Sequence, residues 1–155
     1  MPNSMKLPPS SRLLCLVAIA VGSLIAAGPA SAEPQELKMI ERATTDAVTD
    51  TSATGDSAGD ILTFANDVFD ADDKNKLGTN QGICFRTVVG KAWECFWTLT
   101  LDKGQITVEG PFYDAGDSML AVTGGTGDYA GAQGEMALSA IGTDGKAYSF
   151  IYRLK

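Results

Sequence analysis

"AVTGGTGDYAGAQGEM", residues 121–136, holds five glycines within eleven residues and leaves two kinds of fold open. Glycines at this density cradle phosphates in nucleotide-binding folds, and they also turn the corners of β-structure. A dinucleotide fingerprint needs a strand before it, a helix after it and an acidic residue about twenty positions on. "SMLAVTG" (118–124) supplies the strand, but "GEMALSAIG" (134–142) alternates as a second strand would, and no lysine follows the last glycine. The glycines therefore read as corners of a β-fold that need positive φ.

Outward from this stretch the same grammar repeats. "QELKMIERA" (35–43), "ILTFANDVF" (61–69), "QGICFRTVV" (81–89), "KAWECFWTLTL" (91–101), "QITVEG" (105–110) and "AYSFIYRL" (147–154) are short β-type runs closed by Gly, Asp or Asn. With the two strands of the opening stretch they make eight, which fits a sandwich or a closed barrel. Trp93, Cys95, Trp97, Leu99 and Leu101 fall on one side of their strand, with Glu94, Thr98 and Thr100 on the other. Tyr148, Phe150, Tyr152 and Leu154 form a similar apolar side. The longest irregular piece is "TTDAVTDTSATGDSAGD" (44–60), of a length at which loops are functional or mobile.

The chain has 155 residues, enough for one domain. Residues 1–32 read as a signal peptide: Lys6 and Arg12 lead, an apolar run spans 13–28, and "ASA" (30–32) ends it. The alternative, a membrane anchor, needs roughly 20 apolar residues and a basic flank after them. The mature chain, 33–155, then carries ten basic and nineteen acidic residues, a net −9, because Lys6 and Arg12 leave with the leader. That balance opposes nucleic acid as a partner. With the leader gone, a secreted protein with no membrane attachment is expected.

No histidine occurs in the chain, which removes Ser-His-Asp and Cys-His catalysis and imidazole metal sites together. Two mature cysteines cannot build a structural zinc site alone. "DVFDADDKNKLG" (67–78) fails as a calcium loop, with Lys74, Asn75 and Gln81 where an oxygen ligand, a glycine and a glutamate are needed. No metal site is expected. In an exported chain, Cys84 and Cys95 read as a disulfide. A hairpin with Val88-Val89-Gly90-Lys91 as its loop sets Thr87 opposite Ala92 and Cys84 opposite Cys95. Two buried, reduced thiols are the other reading.

"GDILTFANDVF", "LGTNQGICFRT", "GQITVEGPFYD" and "SMLAVTGGTGDYAGAQGEM" together resemble the allene oxide cyclase family and, more distantly, the dirigent proteins. The likeness runs from Gln35 to Lys155. It implies an all-β, eight-stranded antiparallel β-barrel with a central apolar pocket, commonly a homotrimer. It also implies a polar site in which a first-strand glutamate looks into the barrel and polar side chains hold a water. On that pattern Glu41 and Asn66 are the catalytic candidates, and Cys84, Trp93 and Phe112 line the substrate pocket. The family's second first-strand polar group would be Ala43 here, and its Ser-Pro pair Thr49 and Asp50, so half of the water-holding set is replaced.

Two functions follow. The first is a cofactor-free isomerase or cyclase that encloses a small hydrophobic or aromatic molecule, with Glu41 as a desolvated acid. The second is a dirigent-like binding protein that orients its ligand for chemistry done elsewhere. A Glu41 on the solvent face, paired with a barrel-end charge, would remove the basis of the first.

Overall fold

The computed structural model describes residues 35–155, so the signal segment expected over 1–32 lies outside the described residues. Nine strands form: β1 (Gln35–Arg42), β2 (Ala47–Thr49), β3 (Ile61–Asp70), β4 (Lys76–Val88), β5 (Ala92–Leu101), β6 (Gly104–Tyr113), β7 (Ser118–Gly125), β8 (Gly134–Ala140) and β9 (Ala147–Leu154). All pairings are antiparallel. β3 to β9 pair in sequence, and β1 pairs with β9 on one side and β3 on the other, which closes an eight-stranded barrel. The extra strand, β2, is three exposed residues hydrogen-bonded along the start of β3. It belongs to the stretch 44–60 that composition alone reads as irregular, because its register comes from β3 and not from its own pattern.

The glycine stretch does turn a β-corner. β7 ends at Gly125, a single 3-10 turn covers Gly127–Tyr129, and β8 starts at Gly134. Gly127 has φ +61, and a Cβ there would run into the Lys103 carbonyl of the β5–β6 turn. Backbone approaches this close admit no side chain.

Alternation fills the barrel. On β5, Trp93, Cys95, Trp97 and Leu99 are all buried, whereas Phe96 is 54% exposed on the outer face. Trp97 stacks on Phe150 with ring centroids 5.8 Å apart and meets Phe64 edge-on at 5.8 Å. Offset and edge-on pairs of this kind add to what their buried area contributes.

The polar segment between β2 and β3 is held against one barrel end by side chains. Asp60, fully buried, accepts from Thr51 N, Ser57 N and Ser57 Oγ at 3.0, 2.8 and 3.0 Å. These N–H and O–H donors, Thr51 N foremost, hold its carboxyl below the usual range. Arg86 completes the attachment, pairing with Asp56 at 2.6 Å and with both oxygens of Asp114 at 2.7 Å.

The hairpin corrects one detail of the sequence reading and keeps another. Val88, not Thr87, stands opposite Ala92, because a bulge between Arg86 and Val88 adds a residue to β4 next to the turn. Lys91 N donates to Val88 O at 3.0 Å and closes that turn, with Gly90 at φ +65. Below the bulge the register is as expected, so Cys84 faces Cys95 with Cα atoms 4.0 Å apart and the two form a disulfide. A bridge closing so short a loop should contribute about 2–3 kcal/mol. The Cys84→Ala/Cys95→Ala pair should lose that much in urea unfolding of the mature chain. Alkylation of unfolded, unreduced residues 33–155 should add nothing; two labelled thiols would contradict the bridge.

Candidate functional site

Glu41 is the third of the inward positions on β1, after Leu37 and Met39, and it interrupts their apolar course. Its side chain is 5% exposed. Neither oxygen is left alone. Asn66 Nδ2, from β3, donates to Oε1 at 3.2 Å, and Asn80 Nδ2, from β4, donates to Oε2 at 2.5 Å. Both asparagines are completely buried.

Asn66 makes further bonds. Its Oδ1 accepts from Thr44 N, Thr45 N and Thr45 Oγ1 at 3.0, 3.0 and 2.9 Å, and its Nδ2 also donates to Asp46 Oδ1 at 2.8 Å. One side chain therefore fixes the turn that leaves β1 and positions Glu41 at the same time. The Asn80 carbonyl, Oδ1, is buried beside Glu41 with no partner.

Above the carboxyl lies a cavity of about 30 Å³, room for a water-sized group. Leu62, Phe64, Trp97, Phe112, Tyr148 and Phe150 supply most of its wall, with Leu138, the Cys84–Cys95 bridge, Glu41 and Asp46 completing it. Phe112 and Tyr148, both in this wall, meet edge-on with ring centroids 5.8 Å apart.

Burial pushes the Glu41 carboxyl up to about 7, against the two amide donors, which act in the opposite direction; the charge of Asp46 adds to the rise. Desolvation wins because amide dipoles replace only part of a carboxylate's hydration, and no cation lies among the residues that line the cavity. Tyr148 is shifted up as well, first by burial and then by the charges of Asp46, Glu41 and Asp144. Near neutrality, Glu41 is therefore poised to give or take a proton.

The structure brings Glu41 and Asn66 into direct contact and sets Cys84 and Phe112 on the wall above them. Cys84 sits there as half of a disulfide, not as a thiol. Trp93 is elsewhere: its ring lies under the Arg86 guanidinium, 4.0 Å from the centroid, and the tryptophan in the cavity wall is Trp97, four residues further along β5. Ala43 contributes its backbone to Lys146 O, and Thr49 and Asp50 are exposed. Sequence reasoning missed Asn80 and Asp46. Extending the inward parity of Cys84 back along β4 would have reached Asn80; nothing local marks Asp46.

A raised carboxyl pKa makes folding pH-dependent. The folded chain holds the Glu41 proton more tightly than the unfolded chain between pH 4.5 and about 7. Stability from this group is complete below that window, falls as pH rises through it and levels off above. Glu41→Gln should match wild type in mild acid and exceed it by up to about 3 kcal/mol above neutrality, read by urea unfolding across pH. A difference that does not change with pH would contradict the shift.

Comparison with known proteins accords with the barrel. Among solved structures, a pyocyanin demethylase superposes with a TM-score of 0.69 at 26% identity, covering 78% of this chain and 100% of that one. A pterocarpan synthase dirigent protein gives 0.63 at 11% identity over 79% and 94% of the two chains. An exo-specific intermolecular Diels-Alderase gives 0.60 at 18% identity over 79% and 99%. The last two likenesses speak to the fold alone. The family model described as allene oxide cyclase matches residues 33–154, nearly the whole barrel and its first strand with Glu41. The chain belongs to the allene oxide cyclase family.

Proposed function

We propose that this protein encloses a small apolar or aromatic molecule at the Glu41 end of the barrel and promotes its cyclisation or isomerisation by proton transfer, without a cofactor. The observation that carries this reading is Glu41 itself: a carboxyl 5% exposed, held by two amides, shifted to about 7, under an aromatic wall. A group protonated near neutrality can protonate an oxygen or nitrogen as charge develops there. The walls select for apolar, flat ligands, because Trp97, Phe64, Phe112 and Phe150 offer area and ring faces with few polar partners.

The cavity, at about 30 Å³, is far smaller than the roughly 300 Å³ that ligand sites begin at. Binding therefore needs half-buried Phe64, Phe112 and Tyr148 to swing outward, rotamer changes of the ordinary interfacial kind. Export is part of the proposal, supported by the Cys84–Cys95 disulfide, since such bonds persist in oxidising compartments. So is a homotrimer, for which Phe85 and Phe96, 41% and 54% exposed on neighbouring strands, offer an apolar outer face.

The second reading, a dirigent-like binder, is favoured by one observation: Ala43 stands where the family resemblance asks for a polar group, so the site holds fewer water-binding side chains. The two readings separate on Glu41. Pyocyanin, the molecule named for the 26%-identical structure, is the first substrate to try. Glu41→Gln should cut turnover by a factor of about 100 with affinity little changed, as expected for loss of a general acid or base. Trp97→Ala should instead weaken binding, followed by ligand titration. Turnover equal in wild type and Glu41→Gln would reject proton transfer and leave the binder.

A further inference from the structure

Asp46 is the feature of the site that neither the fold nor the family resemblance accounts for. It sits in the turn between β1 and β2, exposed on one side and lining the cavity on the other. Its carboxylate is tied to Glu41 by a single nitrogen atom. Asn66 Nδ2 has two hydrogens, and they go to Asp46 Oδ1 at 2.8 Å and Glu41 Oε1 at 3.2 Å. The two carboxyl oxygens are thus at most 6.0 Å apart, the sum of those two distances. Asn66 cannot rotate to release either one, because its Oδ1 is committed to Thr44 N, Thr45 N and Thr45 Oγ1.

We infer that Asp46 is the second acid–base group of the site, the carboxylate that removes a proton from the bound molecule while Glu41 delivers one to another atom of it. This rests on the proton-transfer reading above and extends it. The reasons are geometric and electrostatic. Two carboxyls this close, with no lysine or arginine in the cavity wall, resist carrying two negative charges at once. Their surroundings assign the proton: Glu41 is buried in apolar wall, whereas Asp46 reaches water. Paired carboxyls in unlike surroundings divide into an acid and a base. The other groups facing them do not compete. Asn66 and Asn80 are neutral amides, Tyr148 on β9 stays a phenol, and Asp144 in the β8–β9 turn adds only negative charge. Arg86 is already bound by Asp56 and Asp114.

The step balances without an oxidant. A C–H or N–H bond of the ligand breaks and its proton goes to Asp46; the electron pair moves through the ligand's conjugated system; the Glu41 O–H bond breaks and its proton joins a ligand oxygen or nitrogen. Solvent then takes the proton from Asp46 and restores Glu41. The ligand this requires is small, flat and conjugated, with an acidic hydrogen on its outer side and a basic heteroatom on its inner side.

The probe is a nitrobenzisoxazole, a flat bicyclic molecule whose N–O bond opens to a coloured phenolate when a base takes its C–H proton. It is assayed with the purified protein near pH 6, below the Glu41 midpoint. Wild type should turn it over, and Asp46→Asn, which keeps the size and an acceptor for Asn66, should lower kcat/KM by about tenfold or more. Asp144→Asn, a nearby carboxylate outside the cavity, should leave it unchanged. Asp46→Asn at the wild-type rate while Glu41→Gln is slowed would overturn the role of Asp46 and leave the proposed function standing. Absence of turnover by wild type would overturn both.

Discussion

Five hydrogen bonds converge on the side chain of Asn66, and they join the turn that leaves β1 to Glu41 and Asp46. The barrel closes where β1 meets β3, and Asn66 stands at that seam. Its carbonyl holds the turn by which the chain leaves β1, and its amide nitrogen holds both carboxyls of the site. A buried amide satisfied at this level is rigid, and its neighbours inherit the rigidity. Glu41 is therefore oriented by the same bonds that finish the fold, which explains how a carboxyl persists among Met39, Leu62, Trp97 and Phe150 without a cation.

The site's chemistry comes from a contest of magnitudes. Removing a carboxylate from water costs several kcal/mol even after relaxation. Two amide N–H groups return part of that, and a guanidinium would have returned more and left Glu41 permanently ionised. The barrel's buried cation is instead Arg86, bound to Asp56 and Asp114 and stacked on Trp93. It closes the loop over one end of the barrel and stays out of the cavity. Separating the cation from the carboxyl lets burial prevail at Glu41.

How much of this was legible in the sequence depended on the range of the signal. The alternation of Trp93, Cys95, Trp97 and Leu99 is local to β5 and gave the inward face directly. The Cys84–Cys95 register survived a misplaced turn because a bulge absorbed the extra residue before the bridge was reached. Glu41 and Asn66 came from family resemblance, since a lone acid and a lone amide on two strands carry no local mark. Trp93 came from the same resemblance. Both tryptophans of β5 are buried on the inner face; Trp97 lines the cavity, while the Trp93 ring lies under Arg86. Asn80 lay hidden because the turn-like run "DADDKNKLG" concealed that β4 already begins at Lys76. Asp46 was out of reach for a different reason: its place is set by a hydrogen bond from a residue twenty positions away.

The central claim is that Glu41 keeps its proton into the neutral range because the barrel desolvates it. The direct measurement is the carboxyl-carbon chemical shift of Glu41, followed by NMR across pH in a chain of residues 33–155 and assigned by its loss in Glu41→Gln. The account predicts a midpoint of about 7; a midpoint at 4.5, where an unburied glutamate titrates, would contradict it.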